Sequence, residues 1–298
     1  MYRFSASLIV ASAALISACT AKEPAKTDTT TAAQAGAPTS APASKASFDP
    51  ATHVAVIHAK DFSFDAPDSV TAGWTTFHLV NDGPGLHHAS LARLDSGKTV
   101  ADLEAALKNP NAPPPKWVTF VGGPNAPDPS TESDATFDLP AGSYAVMCFV
   151  DIPDHVPHFA KGMIRPLKVV ASSAPAAPEP TADATVTLSD YTFTLSGKLS
   201  PGKHTIKVVN KGPQDHEVEL ARIAPGKTSK DLVAWINKPD GPPPGNALGG
   251  VAGTVSGSTA YFTVDLKPGD YSFICFIPDA KDAKPHVMHG MIKDFKVE

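Results

Sequence analysis

Residues 143–163 of the chain read SYAVMCFVDIPDHVPHFAKGM, so an alternating apolar run ends at Cys148 and is followed by His158 and Met163. Alternation with a period of two is typical of a half-buried β-strand. A thiol, an imidazole and a thioether are side chains that soft transition metals bind. The stretch therefore predicts a strand that carries a metal-binding cysteine to the start of a loop.

The same order of residues recurs near the end of the chain. Residues 271–291 read YSFICFIPDAKDAKPHVMHGM, which places Cys275, His286 and Met291 in the same sequence. Upstream, a VNDGP segment precedes His87 and a VNKGP segment precedes His216, and the two align at a constant offset of 129 positions. Matching segments in the same order at two places in the chain indicate an internal duplication.

Two low-complexity segments separate these repeats from the N-terminus and from each other. Both are rich in Ala, Pro, Ser and Thr and contain no aromatic residue between 21 and 46 or between 171 and 183, so they predict flexible connections. The predicted organisation is a signal peptide at 1–18, a tether at 19–50, a first domain at 51–170, a linker at 171–183 and a second domain at 184–298.

Composition favours an all-β protein. The chain of 298 residues holds 30 prolines and 21 glycines, and its many short Val, Thr, Phe and Tyr alternations are typical of antiparallel strands. We expect a β-sandwich in each repeat. The exception is the segment 99–107 with its counterpart in the second repeat, where apolar residues recur at helical spacing and predict one short inserted helix per domain.

The N-terminus predicts export. Arg3 is followed by an apolar run at 8–16, which is too short to span a bilayer as a helix. The residues ISAC that end at Cys19 resemble the lipobox of bacterial lipoproteins. This resemblance implies cleavage before Cys19, lipidation of its thiol and a membrane anchor made of acyl chains. Because Thr20 rather than Asp follows, we expect the outer membrane, with the protein facing the periplasm.

The net charge of −5 excludes one class of partner. Nucleic-acid binding needs clustered Lys and Arg side chains, and the sequence has no such cluster. No small-molecule substrate is evident either, and the expected partners are redox proteins of the cell envelope together with the membrane itself.

Each repeat offers a histidine between two central strands, then a cysteine at a strand end, a second histidine and a methionine. Type 1 copper sites use two imidazoles and a thiolate with a weak axial thioether. Cys148 and Cys275 hold equivalent positions in two tandem repeats, which rarely lie within the few ångströms that a disulfide requires. We therefore expect each thiol to serve its own copper ion.

The residues around these positions resemble a known family. The segment 80–87 (VNDGPGLH) is similar to the region of plastocyanins around the first histidine ligand, and residues 141–163 are similar to the closing hairpin of plastocyanins, auracyanins and azurins. Over most of their length both repeats resemble cupredoxins, which implies Greek-key β-sandwiches. The resemblance implies these metal ligands: His87, Cys148, His158 and Met163 in the first domain, and His216, Cys275, His286 and Met291 in the second.

Several nearby residues compete with these ligands. Nine residues separate Cys148 from His158, a longer loop than plastocyanins and azurins have and one comparable to that of copper nitrite reductases. His155 could therefore replace His158, and His88 could replace His87. Met288 and His289 are further candidates in the second domain. The first choices are favoured because they occur at matching places in both repeats.

The predicted function is single-electron transfer by a membrane-tethered protein with one type 1 copper ion per domain. The alternatives are copper storage or delivery, and a copper-free binding module on the same fold. Multicopper oxidases and nitrite reductases need His-X-His pairs or a histidine beside the type 1 cysteine. Met147 and Phe149 flank Cys148, and no His-X-His occurs. We therefore expect no enzymatic activity.

Overall fold

Each repeat folds into a β-sandwich with one short α-helix, which confirms the predicted fold class. The computed structural model describes residues 45–109, 114–151, 156–173 and 176–298. Cys19, the signal peptide and His155 lie outside the described residues. The strands and helix of the first repeat are β1 (Ser47–Asp49), β2 (Val54–Lys60), β3 (Ser63–Asp65), β4 (Ser69–Thr71), β5 (Gly73–Asn81), β6 (Ser90–Leu94), α1 (Val100–Leu107), β7 (Val118–Gly122), β8 (Glu132–Leu139), β9 (Gly142–Met147) and β10 (Ile164–Val170).

The second repeat has the same succession of elements, except that β1 and β4 have no counterpart among its strands. They are β11 (Ala184–Ser189), β12 (Thr192–Ser196), β13 (Gly202–Asn210), β14 (His216–Ile223), α2 (Ser229–Asn237), β15 (Gly245–Thr254), β16 (Thr259–Leu266), β17 (Gly269–Ile274) and β18 (Ile292–Val297). A short 3₁₀ helix precedes the last strand in each repeat, at His158–Lys161 and at His286–His289.

The strands of both repeats join into two shared nine-stranded sheets. One sheet runs β1-β2-β5-β8-β16-β13-β11-β12, with β3 paired to β2, and the other runs β18-β17-β14-β15-β7-β6-β9-β10-β4. The repeats meet where β8 pairs with β16, as in the pair Ala135 and Phe262, and where β7 pairs with β15 at Val121 and Thr254. Residues 45–298 accordingly form one compact unit in the described part of the chain.

Both predicted connections contribute to the folded unit. Residues 47–49, which the sequence assigns to the tether, form β1 and pair with β2. In the linker, Glu179 accepts a hydrogen bond from Lys207 (2.9 Å) and Asp183 accepts one from the backbone N–H of Thr205 (2.8 Å). The exact domain limits stay a prediction. No helix among the described residues is long and apolar enough to cross a membrane.

The apolar core lies between the two sheets and continues from one repeat into the other. Its largest aromatic members include Phe77, Phe262 and Phe273, which are fully buried. Burial of such a side chain stabilises the fold by about 1.5–3 kcal/mol. The same core cluster contains both described cysteines and the methionines Met163 and Met291. The thiols and thioethers of the candidate sites are therefore part of the buried core.

The two helices confirm the predicted inserted helices. Each begins with a capping box, in which Thr99 and Asp102, or Thr228 and Asp231, exchange side-chain and backbone hydrogen bonds. This pairing satisfies backbone N–H groups that a helix start leaves without partners. Leu103 of α1 packs on the outer face of β6 and β9. The helices thus support, from outside, the strands that lead to the cysteines.

Candidate metal centres

Three predicted ligands of the first repeat come together in the structure. His87 lies between β5 and β6, Cys148 directly follows β9, and His158 begins a 3₁₀ helix. The Nδ1 atoms of His87 and His158 are 3.0 Å apart, and Cys148 Sγ lies 3.5 Å from His158 Nδ1. All three side chains are buried. Their donor atoms lie within 4.8 Å of one another and form a candidate metal site.

Backbone hydrogen bonds close the loop that carries the second histidine and the methionine. Cys148 N–H donates to the Met163 carbonyl (3.2 Å), and Met163 N–H donates to the His158 carbonyl (3.1 Å). The 3₁₀ helix stops at Gly162, whose φ of 104° is a left-handed conformation that glycine adopts without strain. This turn brings Met163 back beside the cysteine strand, where its side chain is fully buried.

A carboxylate and a glycine orient the first histidine. His87 Nε2 lies 2.9 Å from Asp61 Oδ1. An ionised carboxylate can only accept, so Nε2 carries the hydrogen and the Nδ1 lone pair faces Cys148 and His158. Gly83 makes room for this ring, because a Cβ at that position would lie 2.4 Å from His87 Nε2.

Burial shifts the pKa values of all three donor side chains of the first centre. Burial raises the pKa of the Cys148 thiol to about 12, although the backbone N–H groups of His88 and Val150 favour the thiolate. Burial also lowers the pKa of His87, against the pull of Asp61, and of His158, which His87 further disfavours as a cation. Two neutral imidazoles and a thiol that already accepts N–H hydrogen bonds form a donor set that suits copper.

The second repeat reproduces this arrangement. His216 Nδ1 and His286 Nδ1 are 3.0 Å apart, and Cys275 Sγ lies 3.5 Å from His286 Nδ1. His216 Nε2 lies 2.9 Å from Asp190 Oδ1, and a Cβ on Gly212 would lie 2.5 Å from the same nitrogen. These three ligands form a second candidate metal site, and Met291 is fully buried as Met163 is.

The surroundings of the second centre are more polar. The Asp279 carboxylate accepts hydrogen bonds from the Tyr191 hydroxyl and from Gln214 Nε2 (3.1 Å). The Tyr191 bond, followed by that from Gln214, holds the pKa of Asp279 well below its ordinary value. Asp279 Oδ2 lies 3.7 Å from His286 Nε2, a buried ring nitrogen that has no hydrogen-bond partner among the described residues.

The competing residues that the structure describes lie outside both triads. The His88 ring accepts a hydrogen bond from the backbone N–H of Phe149 (2.8 Å). Met288 is 56% exposed, and the His289 ring packs against Tyr191 with ring centroids 5.0 Å apart. Cys148 and Cys275 are both free and buried. The ligand assignment is nevertheless still a prediction, and Cys19 and His155 are outside the described residues.

The residues that orient the histidines were not among those predicted from the sequence. Asp61 and Asp190, like Gly83 and Gly212, are related by the same offset of 129 positions as His87 and His216. The signal was therefore present in the repeat alignment. For the carboxylates it could not be interpreted from sequence, because their contacts form through space, between a β-turn and a loop that are not neighbours in the chain. The glycines precede their histidines by four positions in the same segment, and their contact depends on how that segment folds.

No protein-family model matches the chain, and no curated protein matches it. Among solved structures, the chain is similar to an auracyanin from Roseiflexus castenholzii (19% identity, 39% of this chain and 95% of that chain, TM-score 0.29). It is also similar to a multicopper oxidase (14%, 82% and 88%, 0.25) and to the copper nitrite reductase from Nitrosomonas europaea (16%, 82% and 93%, 0.25). With TM-scores this low, the fold assignment rests on the strand topology given above.

The comparisons correct one expectation. The prediction that the protein is not an enzyme is wrong as an exclusion, because solved structures that match 82% of the chain are those of a multicopper oxidase and a copper nitrite reductase. The absence of a His-X-His pair in the sequence does not exclude catalysis.

Proposed function

We propose that the chain binds one type 1 copper ion in each repeat and transfers single electrons through these ions. The observation that carries the proposal is the repeated triad: two buried imidazole Nδ1 atoms and one buried thiol converge with the same spacings in both repeats. Each triad is followed along the chain by a buried methionine. This is the donor set of a type 1 centre.

Copper would supply a one-electron couple, and the protein's residues would keep the ligand positions fixed as the charge changes. Asp61 and Asp190 fix the tautomers of His87 and His216. The cysteines and methionines are anchored in the core cluster, where close packing resists displacement. A preformed ligand set rearranges little between oxidation states, which favours fast electron exchange.

Burial favours electron transfer over copper delivery. A delivery site must release its ion to another protein, which requires donor atoms that a partner can reach. His87, Cys148 and Met163 are fully buried, and His158 is only 5% exposed. An electron can pass through the protein that covers these ligands, whereas a copper ion cannot leave unless the loop that carries His158 opens.

We further propose that the protein acts at the cell envelope, held at the outer membrane by lipidated Cys19 and facing the periplasm. Support comes from the N-terminal sequence, since the ISAC residues resemble a lipobox. The partners would be redox proteins of the same compartment. Electrons from the two copper sites could pass either to such a partner protein or to a substrate.

The visible spectrum tests the proposal. The chain without residues 1–19 is loaded with Cu(II), and we expect an intense thiolate-to-copper charge-transfer band and two copper ions per chain. Cys148→Ser and Cys275→Ser should each remove one ion and part of the band, and the double variant should remove all of it. A colourless protein without bound copper would overturn the proposal, and ready transfer of the ion to a mild chelator would favour delivery instead.

A further inference from the structure

Three buried polar side chains form hydrogen bonds next to the two cysteines or across the boundary between the repeats. They are His88 and Asn125 of the first repeat and Glu217 of the second, and each is at most 9% exposed. A buried polar group is costly unless it is hydrogen-bonded. Their hydrogen bonds therefore define how the two repeats are connected at this point.

His88 is tied twice to the cysteine segment of the first centre. Its backbone N–H donates to the Cys148 sulfur. Its ring Nε2 accepts from the backbone N–H of Phe149, the next residue, at 2.8 Å. His88 also directly follows the ligand His87. One residue thus contacts the thiol, the strand that carries it and a histidine ligand.

Glu217 holds the equivalent position at the second centre. Its backbone N–H donates to the Cys275 sulfur, and its Oε1 accepts from the backbone N–H of Phe276 at 2.8 Å. It directly follows the ligand His216. The two centres are therefore held by matching clamps made from different side chains.

Asn125 joins the two clamps. Its Nδ2 donates to Glu217 Oε2 (3.3 Å) and to the Val218 carbonyl (3.2 Å). On the side of the first centre, the backbone N–H of Ala89, which follows His88, donates to the carbonyl of Pro124, which precedes Asn125 (3.1 Å). Bonded and hydrogen-bonded atoms therefore run without a break from Cys148 and Phe149 through His88, the Ala89–Pro124 hydrogen bond, Asn125 and Glu217 to Phe276 and Cys275.

The backbone around Asn125 fixes it at the boundary between the repeats. Its N–H donates to the Gly250 carbonyl (3.2 Å), and the N–H of Ala252 donates to the Gly123 carbonyl (2.8 Å). These two bonds are counterparts, since Gly123 and Gly250 are related by the offset that relates Cys148 and Cys275. Asn125 and Ala252 are then equivalent positions, so the connection depends on a single asparagine that the second repeat lacks.

We propose that His88, Asn125 and Glu217 form the route by which an electron passes between the two copper ions within one chain. The inference rests on the proposed function. In the step, one electron leaves the reduced centre at one cysteine and reaches the oxidised centre at the other. One metal is oxidised, the other is reduced, no bond breaks and no proton moves. Bonded and hydrogen-bonded atoms couple distant centres better than a gap of the same length, and the three side chains are the polar bridge in a tightly packed region.

The rate of exchange between the centres tests the route. In the copper-loaded chain, Met291→Gln marks the second centre by replacing its predicted methionine ligand and hence changing its visible band. One electron is injected photochemically into the oxidised protein, and its redistribution is followed at both bands. We expect a rate independent of protein concentration, slowed several-fold by Asn125→Ala. Asn246→Ala is the matched control, because that exposed amide also bridges the repeats, through Asp128 at 2.6 Å, but lies off the route.

A measurement without copper checks the connection itself. In the metal-free chain, Asn125→Ala should speed amide hydrogen exchange at Phe276, whose N–H group bonds to Glu217. Asn125→Leu, which fills a similar volume without the hydrogen bonds to Glu217 and Val218, is measured alongside in case the alanine variant folds poorly. An unchanged redistribution rate in both variants, with both visible bands intact, would overturn the route alone. Loss of the bands from the unaltered protein would instead overturn the proposed function.

Discussion

The two candidate metal centres have the same internal geometry but different surroundings. In both, the histidine Nδ1 atoms are 3.0 Å apart, the first histidine lies 2.9 Å from a carboxylate, and the sulfur lies 3.5 Å from the second histidine. The positions around them have changed. The pairs are Phe62 and Tyr191, Gly85 and Gln214, His88 and Glu217, and Lys161 and His289.

Three of these four changes add a polar or charged group at the second centre. The first centre has an aromatic ring, a glycine, a neutral ring and a lysine at these places, whereas the second has a hydroxyl, an amide, a carboxylate and a histidine, together with the buried Asp279. Groups around the ligands tune a metal's properties without altering the ligand set. The comparison teaches that the fold fixes the donor positions and leaves the electrostatics of each centre to vary separately.

The largest effect is expected on replacing the glycine that makes room for the first histidine of each centre. Gly83→Ala places a Cβ 2.4 Å from His87 Nε2, and Gly212→Ala places one 2.5 Å from His216 Nε2. Either ring must move, so we expect each variant to lose copper from its own centre and keep it at the other. Overpacking should also lower the free energy of unfolding by about 1–3 kcal/mol. Copper stoichiometry and urea denaturation measure the two effects.

Gly85→Ala is the control for this prediction. It lies two positions from Gly83, and apart from its chain neighbours no described residue has an atom within 4 Å of a Cβ added there. Full copper occupancy and unchanged stability are expected. Retention of both ions by Gly83→Ala would show that the ring does not need the position that the structure gives it.

The next largest effect concerns the carboxylate that lies beside the first histidine of each centre. Asp61→Asn and Asp190→Asn weaken the acceptor of the His87 and His216 Nε2–H groups, so the tautomer that presents Nδ1 to the metal is less favoured. Loss of such an outer partner typically lowers metal affinity by about 10- to 100-fold. Competition with a chelator should give similar losses at the two centres. Loss of copper affinity at only one centre would mean that the two carboxylates contribute differently to metal binding, although each lies at the same distance from its histidine.

Much of this comparison could be predicted from the duplication. The period-two runs before Cys148 and Cys275 gave the strands, and the helical spacing behind Thr99 gave α1, because both depend on local patterns. Pairing of β8 with β16 could not be predicted, since it depends on which sheet edges meet in the folded molecule. The same holds for Asn125, whose partners are in the other repeat. The sequence predicts two separate domains, whereas in the structure strands of both repeats share two sheets across the boundary.

A third prediction concerns the reduction potentials, which we expect to differ between the two centres. Burial raises the pKa of Glu217 to about 7, so at about pH 8 the second centre has a buried negative charge beside its cysteine segment. Burial lowers the pKa of His88 to about 4, so its counterpart is neutral. A negative charge stabilises Cu(II), and we expect the second centre to have the lower reduction potential. Glu217→Gln should raise that potential by tens of millivolts, where about 59 mV is a tenfold change for one electron.

His88→Gln is the matched control for the potentials. It replaces one neutral acceptor of the Phe149 N–H by another and should shift the potential of the first centre much less. Spectroelectrochemical titration of both bands measures the two potentials. Equal shifts in the two variants would show that charge at this position does not set the difference.

The smallest expected effect lies away from the metals, at the equivalent positions His78 and Lys207. His78 Nδ1 lies 2.6 Å from Asp134 Oδ1, and this hydrogen bond raises the pKa of His78 above its ordinary value of 6.5, with burial opposing. A raised pKa in the folded state means that the stabilisation is full below pH 6.5 and is lost as the pH rises through the folded-state value. Lys207, paired with Glu179 at 2.9 Å, stays charged over this range.

Urea denaturation of the metal-free chain between about pH 6 and 9 tests this difference. The free energy of unfolding should fall with rising pH by less than about 1 kcal/mol on account of His78, because the pair is partly exposed and screened by solvent. His78→Gln should remove that part of the pH dependence, whereas Lys207→Gln should shift the free energy by the same amount at every pH. Should both variants keep the pH dependence of the unaltered chain, the ionisation responsible must lie elsewhere, and the two positions would differ in residue type without differing in effect.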